Sequence, residues 1–432
     1  MNRFTFLLAV ACVVAAGPRL AAQDDAADIA KAQREYEAQQ AKVRAELAKK
    51  ATHEQTAEIK VDGANGAALQ TLCLGADGKV FALVAPPRGF SAPAKGATGE
   101  VKVYSADGKL EASWKLDFAA HSLNAGPDGT VYVAGDARVA RFGKDGKAVG
   151  APAELSYITD LLKDKDALRA KAEVSLKREK ELMAKSMADA KKQFAEQVAK
   201  LEAKAEADRT KTEQRQLSQY KSILKSYEQN ENFYAKRTVE DVMSGLIGRL
   251  RIVNGIAVSE SHVFVACGEA EGYGYAVWRM DRELKNAKQI LSGIGGCCGQ
   301  MDIQVQGGDL LVAENTRHQF ARYDRDGKKL GSFGRRGQDT DPACFGGCCN
   351  PMNVRAAGSS GDVFTAESEG VVKRFSAAGE FAGVVGTVPV NGGCKNVAIG
   401  VSADGTRVYF CDQPGGRFFI LTRKPAPAAG GQ

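Results

Sequence analysis

Six cysteines stand where they could act together. Two adjacent pairs sit in near-copies of one motif, Gly296-Cys-Cys-Gly-Gln-Met-Asp302 and Gly347-Cys-Cys-Asn-Pro-Met-Asn353. Cys344 precedes the second pair, and Gly393-Cys-Lys-Asn396 places Cys394 at a matching point further along. In an oxidising compartment such thiols cross-link. As thiolates they hold a soft metal, copper or zinc, or carry electrons. Cys297, Cys298, Cys344, Cys348, Cys349 and Cys394 therefore form the candidate disulfide or metal cluster, and the sequence leaves both uses open. Cys73, Cys267 and Cys411 lie within or at the ends of strand-like apolar runs and read as buried small side chains.

The remaining candidates are polar. Glu314, Glu367 and Asp412 close matching apolar runs, while Asp302 and Asn353 follow the paired cysteines. The four histidines, His53, His121, His262 and His318, occupy unlike positions. His318 reads as an outer-strand residue beside Arg317, and only His121, near the start of a strand, joins the polar candidates. Their bland role is to bond loop amides or arginines such as Arg374 and Arg417. No residue is assigned as catalytic, and enzymatic activity is not the favoured reading.

The elements that must position these residues repeat. Gly126-Pro-Asp-Gly-Thr-Val-Tyr-Val-Ala-Gly135 aligns with Gly307-Gly-Asp-Leu-Leu-Val-Ala-Glu314 and with Gly361-Asp-Val-Phe-Thr-Ala-Glu367. Asp404-Gly-Thr-Arg-Val-Tyr-Phe-Cys-Asp412 is a further copy, and weaker ones start near Leu69 and Val253. Each copy is a turn, an apolar strand ending in small or acidic residues, and a second strand such as Val139-Ala-Arg-Phe142 or Phe320-Ala-Arg-Tyr323. A period of about 40 to 50 residues is that of propeller blades, which bury both faces only by packing against neighbours in a closed ring.

This unit resembles the NHL-repeat family of propellers, usually six-bladed, most clearly over residues 299–386. The resemblance implies six blades beginning near residues 68, 119, 252, 299, 350 and 395, with Glu58-Ile-Lys-Val61 completing the last. It implies no single function, because such propellers include scaffolds, lyases and metal-dependent lactonases. The Glu, Asn and Asp metal set of the lactonases has no residue-by-residue counterpart here.

Two stretches break the β pattern. Residues 24–50 and 153–244 contain neither Gly nor Pro and are rich in Ala, Lys, Glu and Gln, a helical composition. In the longer one Met183, Met187, Ala190, Phe194, Val198, Leu201 and Ala205, then Leu217, Tyr220, Leu224 and Tyr227, fall at coiled-coil spacing. About ninety residues of straight helix would run on the order of 130 Å. The β pattern resumes directly afterwards, so an antiparallel hairpin turning near residues 206–212 is expected.

Arg3, the apolar run from Phe4 to Gly17 and Ala21-Ala22 read as an export signal. Cys12, preceded by Ala9-Val10-Ala11, is a lesser candidate for lipidation. The expected organisation is a signal at 1–22, a helix at 23–53, two blades at 54–152, a coiled-coil insertion at 153–245, four blades at 246–424 and a tail at 425–432. A net charge of +7 is spread among acidic residues, which argues against a nucleic-acid surface. No later segment is apolar enough to span a bilayer. The expectation is thus a mainly β, exported (periplasmic or secreted) six-bladed propeller with an N-terminal helix and an inserted helical hairpin. Its coiled-coil arm would bind a protein partner or self-associate.

Overall fold

The computed structural model describes residues 23–64, 66–87, 96, 98–269, 274–297, 300–338, 341–357, 360–391, 393 and 395–425. The expected signal with Cys12, the thiols Cys298 and Cys394, and nearly all of the expected tail lie outside them.

The chain is mainly β and divides into two compact units, one of Met1–Arg34 with Asp166–Ser244, the other of Glu35–Lys165 with Gly245–Gln432. Helix α1 (Gln23–Lys49) precedes strand β1 (His53–Lys60). Six four-stranded antiparallel sheets follow. The first holds β2 (Ala68–Leu74), β3 (Val80–Ala85), β4 (Gly99–Tyr104) and β5 (Leu110–Leu116). The second holds β6 (Ser122–Ala125), β7 (Val131–Gly135), β8 (Arg138–Phe142) and β9 (Ala153–Glu154). After four helices come β10 (Val253–Val258), β11 (His262–Gly268), β12 (Tyr275–Asp281) and β13 (Lys288–Ile294). The fourth sheet is β14 (Ile303–Gln306), β15 (Asp309–Glu314), β16 (Gln319–Tyr323) and β17 (Lys329–Phe333). The fifth is β18 (Asn353–Ala356), β19 (Val363–Ala366), β20 (Val371–Phe375) and β21 (Phe381–Thr387). The sixth is β22 (Val397–Val401), β23 (Arg407–Asp412) and β24 (Arg417–Arg423), with β1 as its outer strand.

The first strands touch in sequence, β2 to β6, β10, β14, β18 and β22, and β22 returns to β2. That closed circuit is consistent with a propeller-like arrangement. Nearly continuous burial of the second strands follows from it: Val80–Ala85 and Val131–Gly135 are buried throughout, because both faces of each sheet meet a neighbour.

A recurring arginine ties sheet to sheet. Arg141, Arg279 and Arg322, each in the third strand, reach the outer turn of the next sheet at Glu283 (3.1 Å), Asp326 (2.6 Å) and the Ala377 carbonyl (3.0 Å). These turns need glycine. Gly327 lies at φ +92°, and a Cβ there would collide with the Ile290 carbonyl of the preceding sheet.

Within the helical unit, α3 (Lys165–Glu202) and α4 (Lys211–Lys236) run antiparallel; α2 (Ser156–Lys163), part of the β unit, precedes them in the chain, and α5 (Val239–Arg251), divided between the units, follows. Phe194 lies 5.5 Å from Tyr220 and 6.2 Å from Tyr227. Lys191–Glu231 (2.5 Å), Glu202–Lys221 (2.6 Å) and Glu179–Arg237 cross the pair. The second helix starts with a capping box, Thr210 and Glu213 satisfying each other's backbone N–H.

The helical stretch begins and ends differently from the composition-based bounds. Ala153 and Glu154 form β9, paired with Val139 and Arg138, and Tyr157 and Ile158 are buried in the same core as Leu250 and Val253. Tyr157 stacks on Trp278 at 4.7 Å. A lack of Gly and Pro signals helix, but these anchors belong to the β unit. We therefore expect that replacing only 170–236 with a short Gly-Ser linker leaves the β unit folded, since the two ends are near enough for the side chains of Arg169 and Glu240 to form an ion pair at 3.1 Å. Circular dichroism should lose helix while urea unfolding stays cooperative. An insoluble product would show that the hairpin is required for folding.

Candidate functional site

The first strands converge at their starts, where the entry loops and the second-to-third-strand turns share one end of the sheet circuit. Polar side chains gather there because backbone N–H and C=O groups at the strand starts must find hydrogen-bond partners. Asp302 accepts from the Val354 N–H (2.7 Å) and from Arg355 Nη1 (2.6 Å), linking the fourth sheet to the fifth. Asn353 repeats the device one sheet on, its Oδ1 accepting from the Ile399 N–H at 2.9 Å. Gln300 joins three sheets: its amide donates to the Met352 (2.9 Å) and Val397 (2.7 Å) carbonyls and accepts from the Val397 N–H (3.2 Å). Full burial pushes the Asp302 carboxyl up, against the pull of the Arg355 guanidinium.

Beneath these groups lies a cavity of about 20 Å³, lined among others by Gln70, His121, Ser122, Asn254, Asp302 and Asn396. That is room for about one water. Ser122 Oγ and Asn396 Oδ1 are buried in it without a hydrogen-bond partner. Further in, the Asn124 amide donates to Gln304 Oε1 at 3.1 Å across β10, narrowing the lumen. At the opposite end, the first-to-second-strand turns line a cavity of about 770 Å³ with Leu74, Val258, His262, Phe264, Val305 and Arg325 on its wall. Its size suits a small molecule.

Of the polar candidates, His121, Asp302 and Asn353 come together around the small cavity. Glu314, Glu367 and Asp412 instead close their own turns. Glu314 is fully buried and accepts from Tyr323 Oη (2.7 Å), Gln319 and Arg317 (3.2 Å). Burial opposes its charge, but these donors hold the carboxyl below its ordinary value. Glu367 pairs with buried Lys373, whose ammonium also donates to the Cys344 carbonyl, and Asp412 pairs with Arg417 Nε at 3.1 Å. His318 is not on an outer strand. It sits buried in the turn after β15 at φ +53°, because the chain reverses there directly behind Glu314.

The thiols occupy unlike environments. Cys297 packs against a buried cluster that contains Cys349 and Met352. Its N–H donates to Asn315 Oδ1 (2.9 Å), and the other end of that amide approaches Met352 Sδ (3.6 Å). Cys348 is exposed. Cys344 is buried with its thiol 2.9 Å from Asp341 Oδ2, and burial together with that carboxylate pushes it up. Among the described residues no two cysteines are joined by a disulfide, and no three His, Cys, Asp or Glu side chains gather as for a metal. Cys73, Cys267 and Cys411 are buried in strands, burial raising the first two thiols to about 12. Gln300, Asn315, Arg355 and Met352 were not anticipated. A polar residue recurring at the start of each apolar first strand (Gln70, Ser122, Asn254, Asp302, Asn353, Asn396) was the available signal.

No protein-family model matches the chain, and no curated protein is significantly similar to it. Among solved structures, a structural genomics protein of unknown function from Bacteroides thetaiotaomicron is similar at 9% identity and a TM-score of 0.44, over 86% of this chain and 74% of that one. That likeness carries no information on activity.

Two outcomes follow from these buried polar groups and from buried His53 on β1. Asp302→Ala should destabilise the protein by about 3–5 kcal/mol, because it strands a buried guanidinium, whereas Asp302→Leu with Arg355→Leu should recover much of the loss. Urea midpoints of the two variants test this; equal losses for single and double variants would refute the coupling. Burial lowers the His53 pKa below 6.5, and its ring is bonded to the Gly405 carbonyl at 2.9 Å. The fold thus favours neutral His53, so its contribution is complete above the unfolded value and drains as pH falls through the folded one. Melting temperature should drop between about pH 7 and pH 5, and the drop should shrink in His53→Gln.

Proposed function

We propose that the protein is an exported, NHL-like six-bladed β-propeller that works as a binding scaffold and meets a protein partner through its helical hairpin acting as a coiled-coil arm. The observation that carries this reading is apolar surface on the arm. Val174, Leu182 and Phe233 are 68%, 53% and 62% exposed, on helices that are otherwise polar. Lys180 reaches the Ala235 carbonyl, so Leu182 and Phe233 lie at the same level of the hairpin. Large apolar side chains left in water on one arm are available for contact with a partner. No helix among the described residues is long and apolar enough to cross a membrane. A scaffold is favoured over a lyase or lactonase because Glu314, Glu367 and Asp412 are committed to holding turns.

The triple variant Val174→Glu, Leu182→Glu, Phe233→Glu should keep the wild-type circular dichroism and melting temperature. It should lose either a partner retained by the full chain in affinity capture or the full chain's own self-association in light scattering. If both are unchanged, the arm is only a spacer and the proposal falls.

A further inference from the structure

Three sulfur-bearing residues from two sheets share one buried cluster at the entry end. Cys297 arrives from the loop before β14, and Cys349 and Met352 from the segment before β18. Cys349 and Met352 are 1% and 0% exposed, and Cys297 is partly buried. Their positions are held from several sides. Asn315 bridges the Cys297 N–H and Met352 Sδ, and Gln300 N–H donates to the Cys297 carbonyl (3.2 Å) while its side chain holds the Met352 carbonyl. Asn350, between Cys349 and Met352, is itself locked: its amide donates to Gly346 O (3.0 Å) and Glu369 Oε2 (2.7 Å) and accepts from the Ser368 N–H (2.9 Å).

We propose that Cys297, Cys349 and Met352 form a binding site for a single copper(I) ion. The donor chemistry selects the metal. Thiolate and thioether together suit copper(I), whereas zinc draws its ligands from thiolate, imidazole and carboxylate, so Met352 is the residue that discriminates. Val388, Val390 and Val397 belong to the same buried apolar cluster as Cys349 and Met352, and hydrogen bonds from Asn315 and Gln300 orient the loops that carry the ligands. Binding replaces two thiol protons with one Cu⁺, leaving a bis-thiolate complex of charge −1 and releasing two protons, so affinity rises with pH. The site is separate from the helical arm and stands or falls independently of the scaffold reading.

The test is anaerobic titration of the reduced full-length chain with copper(I) buffered by bicinchoninate. One tightly bound equivalent per chain is expected, held less tightly as pH is lowered. Cys297→Ser and Cys349→Ser should each weaken binding by at least about 100-fold and Met352→Leu by about 10-fold, the scale on which lost ligands and outer contacts act. Cys344→Ser and Cys348→Ser should change nothing. X-ray absorption on the wild-type complex needs no variant and should show a first shell of sulfur alone. No copper(I) binding, binding indifferent to Cys297 and Cys349, a first shell containing nitrogen or oxygen, or retention of zinc against copper(I) would each overturn the proposal.

Discussion

Pairing of β1 with β24 is the contact on which the rest of the β unit depends. His53 to Lys60 lie antiparallel to Arg423 back to Arg417, so the sixth sheet is built from both ends of the β unit's chain. Without that strand the last sheet would keep only three strands, and the circuit of first strands would be held at β22 and β2 only by side-chain packing. Ile59 and Ile420 seat on the outer turn at Gly108 of the first sheet, which carries the closure to the next neighbour. His53 bonds the Gly405 carbonyl in the turn joining β22 to β23, and Lys424 reaches Ala51. Closure therefore reaches from backbone ladder to loop.

Ring closure dictates the polar lumen. First strands that touch in a circle leave their inner faces without a partner sheet, so side chains there must complete one another's hydrogen bonds. Asp302 and Asn353 do this by accepting a backbone N–H from the next sheet, and Gln300 does it for two sheets at once. The lumen is thus a set of staples rather than an open pipe, narrowed by Asn124 and Gln304. The two ends of the ring differ accordingly. The entry end is crowded with bonded polar groups and sulfur, while the turn end opens into a wide, partly apolar bowl.

The repeat makes the sheets legible in the sequence itself. Second strands ending in Glu314, Glu367 and Asp412 were aligned by type, and the Arg in Val-Ala-Arg-Phe and Phe-Ala-Arg-Tyr recurs because each spans to the next outer turn. What composition could not reveal was ownership. Tyr157, Ile158 and Leu250 look helical, as they are, yet their apolar faces belong to the β core. His318 looked like strand because Gln319 begins one, and only the left-handed turn behind Glu314 separates them. Gln300 and Asn315 were illegible for a different reason: their partners lie in other sheets, at a separation set by the ring and not by local pattern.

The duplicated cysteine pairs carry a last lesson in geometry. Adjacent side chains leave the backbone in different directions, so an adjacent pair need not deliver both sulfurs to one spot, here in a bend that follows Gly347 at φ +66°. The second pair obeys this: Cys349 is buried in the cluster while Cys348 faces solvent. The second loop thus contributes one buried thiol to the cluster, and the methionine three residues after Cys349 adds another sulfur from the same loop. Lengthening the loop between Cys349 and Met352 by one residue would break that register, because Asn350 is fixed by three hydrogen bonds and leaves no slack to absorb it.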